Sequence, residues 1–256
     1  MSNEEIKKNY LKKIKRITKL NESYYIKNNP LISDGEYDLL KKEIITLEQE
    51  YDFLDNEDSP SKKVGFKPSK NFKKVDHKVP MLSLANAFSE EDLINFEKKI
   101  INYLNEKKNF TIEYSAEPKI DGISASLIYK NKKFVTGLSR GDGQMGEDIT
   151  SNLKTISDIP QFISAKDFPE EIDIRGEVFI QNTDFKKLAD KFANPRNAAS
   201  GSLRQKDHRD TKKIPLKFIA YTFGFEKGMK INNQKDFLKK LSDWGFKTNH
   251  LNKIIS

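Results

Sequence analysis

The chain has 256 residues, enough to bury a real core as one large domain or as a large domain with a small companion. It contains no Cys, which excludes disulfides, thiolate nucleophiles and cysteine-built zinc sites, and its three His (His77, His208 and His250) lie too far apart to suggest a histidine metal centre. The net charge of +8 suits a polyanionic partner such as nucleic acid, although a lysine-rich, solvated surface gives the same balance.

The opening Met1-Ser2-Asn3-Glu4-Glu5 lacks the basic-then-apolar pattern of a secretory signal, and no apolar run is long enough to span a bilayer. A cytoplasmic chain with no membrane partner is expected. Ile6, Tyr10, Ile14 and Ile17 recur at three- and four-residue intervals and predict a first helix. Ser33-Asp34-Gly35-Glu36 has capping-box spacing, and Tyr37, Leu40, Ile44, Leu47 and Tyr51 continue one face of a second helix. The two helices form a hairpin around Asn28-Asn29-Pro30. The stretch 56–70, rich in Pro, Ser, Lys and Asp, reads as a linker, which divides the chain into domains 1–70 and 71–256.

A third helix starts at Ser89, with Leu93, Phe96, Ile100 and Leu104 on one face. Strand composition follows at 125–129, 133–136 and 172–179, with Asn131-Lys132 as the turn between the first two. Helical stretches at 183–191 and 234–244 interrupt these strands, so the larger domain is α+β with an antiparallel sheet. Only six of the 46 basic residues are Arg, and five of them lie between Arg140 and Arg209. The planar guanidinium binds phosphate or carboxylate bidentately, so these positions are candidate phosphate or ion-pair sites.

Lys119 stands between Pro118 and Ile120 and is bracketed by Glu117 and Asp121. An ordinary lysine amine is protonated and inert; desolvation and neighbouring cations release the free amine as a nucleophile, whereas acidic neighbours oppose this unless they are engaged elsewhere. A surface lysine at a strand end would look the same in isolation.

Further stretches enlarge the context of Glu117-Pro118-Lys119-Ile120-Asp121-Gly122. They are Ser139-Arg140-Gly141-Asp142-Gly143-Gln144-Met145-Gly146-Glu147-Asp148, Arg175-Gly176-Glu177-Val178, and the run from Asn194-Pro195-Arg196-Asn197 to Leu203-Arg204-Gln205. Upstream are Val79-Pro80-Met81-Leu82-Ser83-Leu84 and Ser33-Asp34-Gly35-Glu36-Tyr37-Asp38. Together, and in this order, they resemble the NAD-dependent DNA ligases over almost the whole chain. The resemblance implies a small helical amino-terminal hairpin that recognises nicotinamide mononucleotide, followed by an antiparallel-sheet nucleotidyltransferase (ATP-grasp-like) domain with flanking helices.

It further implies that Lys119 becomes adenylylated by NAD, with nicked double-stranded DNA as the partner and Mg²⁺ or Mn²⁺ assisting a monomeric enzyme. Asp121 and Glu177 would join Lys119 as catalytic residues, although the resemblance leaves the metal ligands unassigned. Glu117 would contact the adenine, Arg140 the ribose-phosphate, and Ser83 and Leu84 the neighbourhood of the nucleotide. Tyr24, Asp34, Tyr37 and Asp38 would grip the nicotinamide mononucleotide half. Arg196, Arg204 and Arg209, in the polar small-residue segment 194–209, are expected to meet the DNA backbone, with salt-sensitive affinity.

Two departures from the family pattern stand out. Tyr24-Tyr25 replaces the usual Tyr-His, and the two later lysine motifs that contact the AMP phosphate would lie beyond Ser256. The adenylation domain is therefore expected to lack its carboxy-terminal part, as a fragment of a longer ligase or a natural short form. A non-catalytic relative that binds NAD or DNA is the alternative. Gly141-Asp142-Gly143-Gln144-Met145-Gly146 also fits G-x-G-x-x-G, but a dinucleotide-binding βαβ unit needs a buried strand before it and a helix after it.

Overall fold

The computed structural model describes residues 2–25, 31–62, 72–105 and 111–255. The expected turn at Asn28-Asn29-Pro30 and most of the 56–70 linker fall outside these residues, as do the side chains of Tyr25 and Asp34.

Helix α1 (Asn3–Tyr25) packs against α2 (Asp34–Glu50). Ser33 caps α2 as the capping box requires, its hydroxyl accepting from the Glu36 amide while the Glu36 side chain returns to the Ser33 backbone. Ile6, Tyr10, Ile14 and Ile17 of α1 are buried with Leu40 and Ile44 of α2 in a separate small core. The Tyr10 hydroxyl donates to Glu48 Oε1 at 2.6 Å, which fixes the helix register.

Strand β1 (Lys74–Asp76) precedes α3 (Glu90–Leu104). Ser89 caps α3 through a capping box with Asp92, as its sequence predicts. Its apolar stripe is not core, however, since Leu93 and Phe96 are more than half exposed and α3 holds no buried residue. Local periodicity predicts the helix; whether a neighbour covers its stripe is a tertiary matter.

The larger core lies against a four-stranded antiparallel sheet. After β2 (Tyr114–Ala116), strands β3 (Ile123–Lys130) and β4 (Lys133–Ser139) form a hairpin. Asn131 and Lys132 both take positive φ in its two-residue turn, the twist that joins antiparallel strands. The short β5 (Met145–Glu147) pairs with β1, and α4 (Thr150–Leu153) follows. Strand β6 (Glu171–Phe179) pairs with β3, and β7 (Lys217–Lys227) with β6, giving the order β4-β3-β6-β7. Tyr129, Phe134, Phe168, Phe237, Trp244 and Phe246 form an aromatic cluster beneath it.

Between β6 and β7 lie α5 (Asn182–Phe185), α6 (Pro195–Leu203) and α7 (His208–Lys212). The helix expected over 183–191 is thus only one turn. Beyond Phe185 the amides of Lys187, Leu188 and Lys191 bond three residues back, tightening the chain into successive turns. The polar, small-residue segment 194–209, for which the sequence alone named no element, carries α6 and the start of α7. Small residues let α6 bury Ala198, Ala199, Ser200 and Ser202, with Asn194 as cap and Pro195 in the first turn. Helix α8 (Gln234–Asp243) forms where expected, capped by Asn233, and β8 (Lys253–Ile255) pairs with β2.

Candidate active site

Strand β6 alternates along its length. Ile172, Ile174 and Val178 enter the core, so Asp173, Arg175 and Glu177 share the opposite face. Glu177 is buried there, directly opposite Ser124 of β3, whose hydroxyl donates to Glu177 Oε2 at 3.0 Å. The β6–β7 register slips between Arg175 and Gly176, so Tyr221 has no opposite residue. This bulge aims its ring across the sheet, with the hydroxyl 3.5 Å from Glu177 Oε2. Burial pushes the Glu177 carboxyl above the usual range, against the Ser124 hydrogen bond and the positive charges of Arg196, Lys119 and Arg140. Burial and the Glu177 charge together push the Tyr221 phenol up to about 12.

Lys119 lies in the loop between β2 and β3, and its side chain is exposed. Burial by the protein itself therefore does not supply the desolvation expected of a nucleophilic lysine. Its carboxylate neighbours are engaged. Asp121 Oδ1 accepts from Arg196 Nη1 at 3.3 Å, and Glu117 Oε1 accepts from Ser115 Oγ at 3.0 Å and Gln234 Nε2 at 2.8 Å. Gly122 sets the loop's path, because a Cβ there would stand 2.3 Å from the Val178 carbonyl oxygen and 2.8 Å from Glu177 Cγ.

Arg140 follows β4 and opens the glycine-rich turn. That turn leads from β4 into the antiparallel strand β5 rather than into a helix, so the dinucleotide fingerprint of a βαβ unit is excluded. The segment 73–81 lies along the turn, with the His77 amide donating to the Gln144 carbonyl and the Met81 amide to the Gly143 carbonyl, both at 2.8 Å. Buried Arg175 pins this segment through the Val79 and Pro80 carbonyls and pairs with Asp173 at 2.9 Å. Ser83 and Leu84 continue the segment and are exposed.

The amino-terminal hairpin reaches the site through Tyr24, whose ring lies under the Arg196 guanidinium at 5.5 Å. Arg196 thus sits between Tyr24, Asp121 and Glu177, and its buried Nε has no hydrogen-bond partner among the described residues. Tyr37 donates to Asn21 Oδ1 at 2.8 Å, and Asp38 is half-buried. Arg204 pairs instead with the buried Glu147, Nε to Oε2 at 3.2 Å, and Arg209 forms an exposed fork with Asp207.

The structure therefore gathers Lys119, Asp121, Glu177, Arg140, Arg196 and Tyr24, and holds Glu117 at the base of the same loop. Arg204 and Arg209 stand apart in ion pairs of their own. Ser124, Tyr221 and Gln234 were not visible as site residues. Ser124 and Tyr221 reach it only through strand register, and Gln234 through the start of a helix more than a hundred positions from Glu117.

Among the described residues, no group of three or more His, Asp or Glu could by itself hold a metal ion, and no helix is long and apolar enough to cross a membrane. Residues 69–256 match the NAD-dependent DNA ligase adenylation domain family, and residues 3–65 match the DNA ligase-like, N-terminal NAD+-binding domain family. The chain is 67% identical over 255 residues to a DNA ligase of Pelagibacter ubique, covering 100% of this chain and 38% of that protein. It is 46% identical over 243 residues to a DNA ligase of Parvibaculum lavamentivorans (92% of this chain, 34% of that protein). Against a DNA ligase of Rickettsia massiliae the identity is 47% over 249 residues (94% and 36%). The chain thus spans little more than a third of the length of these relatives.

Proposed function

We propose, for a chain that belongs to the NAD-dependent DNA ligase adenylation domain family, that it loads AMP for a DNA ligase, with Lys119 as nucleophile. The observation that carries this reading is the state of the two carboxylates beside Lys119. Each is held by another partner, Glu117 by Ser115 and Gln234 and Asp121 by Arg196, so neither is tied to the amine.

In this reading, NAD lies between the hairpin and the sheet. Tyr24, Asp34, Tyr37 and Asp38 grip its nicotinamide mononucleotide half, Glu117 meets the adenine, and Ser83 and Leu84 border the nucleotide. Arg140 approaches the ribose-phosphate. We assign Arg196 to the dinucleotide rather than to DNA, because its unpartnered buried Nε is a donor in the same pocket. The bound dinucleotide covers Lys119 and supplies the desolvation that the protein alone does not.

The Lys119 amine, having lost a proton to solvent, forms a bond to the adenosine-linked phosphorus as the bond to nicotinamide mononucleotide breaks. A 5′-phosphate at a nick then takes AMP from Lys119, and the 3′-hydroxyl seals the strand and releases AMP. Glu177 presents one carboxylate to this pocket, which suits Mg²⁺ or Mn²⁺, since such ions take one or two carboxylates and complete their shell with phosphate oxygens and water. The ion would offset charge on the phosphate oxygens. Arg204 and Arg209 are assigned to the DNA backbone, the partner being nicked double-stranded DNA and the setting a cytoplasmic monomer.

Intact-mass measurement tests the reading. The full-length parent, incubated with NAD and Mg²⁺, is expected to gain one AMP on Lys119, and the 256-residue chain to gain it slowly or not at all. Absence of the adduct from the parent, or its persistence in Lys119→Ala, would overturn the assignment.

A further inference from the structure

The first residue of α8 joins two parts of the pocket that lie far apart in sequence. Gln234 Nε2 donates to Glu117 Oε1 at 2.8 Å and to the Tyr221 carbonyl at 2.7 Å. An ionised carboxylate and a backbone carbonyl are both acceptors, so only the amide nitrogen can face them, and the orientation of the Gln234 amide is fixed by chemistry. Ser115 Oγ donates to the same Oε1 at 3.0 Å. The other oxygen, Oε2, has no hydrogen bond among the described residues.

The anchor is well supported. Asn233 caps α8 by accepting from the Asp236 amide at 2.8 Å, and the Tyr221 carbonyl belongs to a strand of the main sheet. Tyr221 therefore carries two loads, its carbonyl holding Gln234 and its hydroxyl facing Glu177.

We propose that Gln234 is a positioning residue that turns Glu117 Oε2 toward the C6 substituent of the purine, and so selects a 6-amino dinucleotide over its 6-oxo analogue. The inference rests on the reading above in which Glu117 meets the base. A carboxylate only accepts, so it receives an N–H from the 6-amino group and repels a 6-oxo group. A carboxylate free to turn would escape that repulsion by sliding to the N1–H that a 6-oxo purine carries. Gln234 and Ser115 remove that freedom by holding one oxygen from two directions.

Calorimetric titration of the 256-residue chain with NAD and with nicotinamide hypoxanthine dinucleotide tests the idea without any covalent step. The wild-type chain is expected to prefer NAD by about tenfold, the scale of a hydrogen bond to a charged group. In Gln234→Leu the NAD affinity is expected to fall about tenfold and that for the hypoxanthine analogue to change far less, so the preference collapses. Ser115→Ala removes the other donor to the same oxygen and is expected to narrow the preference about threefold, which carries the test if the α8 variant does not fold. A preference unchanged in folded Gln234→Leu, both affinities falling together, would overturn the positioning role, as would equal wild-type affinity for the two dinucleotides. Failure of the wild-type chain to bind either dinucleotide would overturn the NAD reading itself.

Discussion

The guanidinium carbon of Arg196 stands 5.5 Å from the centre of the Tyr24 ring, so α6 of the sheet domain meets the end of α1 beside the Lys119 loop. A cation over an aromatic face contributes about 0.5–2 kcal/mol according to how far water is excluded. Arg196 also holds Asp121, so one side chain links the hairpin to a flank of Lys119.

Tyr24→Leu keeps an apolar side chain but removes the ring. NAD affinity is expected to weaken several-fold, in line with about 1 kcal/mol. Adduct formation on Lys119 in the full-length parent should slow at low NAD and recover at saturating NAD, as a plot of adenylylation rate against NAD concentration will show. Equal slowing at all concentrations would place the effect in chemistry rather than binding.

Gly122→Ala is expected to cost about 1–3 kcal/mol, because its Cβ would have to displace the Val178 carbonyl or the Glu177 side chain. Chemical denaturation measures the loss. The same shift displaces the Lys119 loop from Glu177, so AMP transfer in the parent should fall further than the loss of folded protein explains.

Glu177→Gln separates stability from function. Because the folded-state pKa of Glu177 is raised, the folded chain holds a proton that the unfolded chain has released, and stability attributable to this group falls as pH rises from the ordinary Glu range through the raised value. Gln keeps an acceptor for Ser124 and never ionises. The variant is expected to be at least as stable as wild type at pH 7, to lose that advantage as the pH is lowered below the ordinary Glu range, and to lose adenylylation in the parent. Melting temperatures across pH check the first two outcomes.

Arg204→Ala removes the guanidinium paired with the Glu147 carboxylate, which is 0% exposed, at an expected cost of up to about 3 kcal/mol in thermal unfolding. Arg209→Ala, on an exposed and solvent-screened pair, should leave thermal unfolding almost unchanged. Nick binding measured against salt concentration then tests the DNA assignment, since loss of a backbone contact lowers the salt slope by about one. An unchanged slope in both variants would leave both residues as structural ion pairs.

The local devices of this fold were legible because each is written in adjacent residues. The capping boxes at Ser33 and Ser89, the apolar spacing from Ile6 to Ile17, the Asn131-Lys132 turn and the strand composition of 172–179 all formed the expected elements. The run 183–191 did not become a full helix, and 195–203 became a largely buried one, because both outcomes depend on what packs against the segment.

The sequence by itself determined the chemistry at hand, a lysine between two carboxylates, a strand carrying Asp173, Arg175 and Glu177 on one face, and arginines concentrated after residue 139. Only the tertiary structure decided their partners. A two-residue strand periodicity says that Glu177 faces away from the core, but the register with β3 and the bulge in β7 choose Ser124 and Tyr221 as its neighbours. Likewise, nothing near Glu117 in sequence names Gln234, because a hydrogen bond between residues 117 positions apart exists only once β2, β7 and α8 have met.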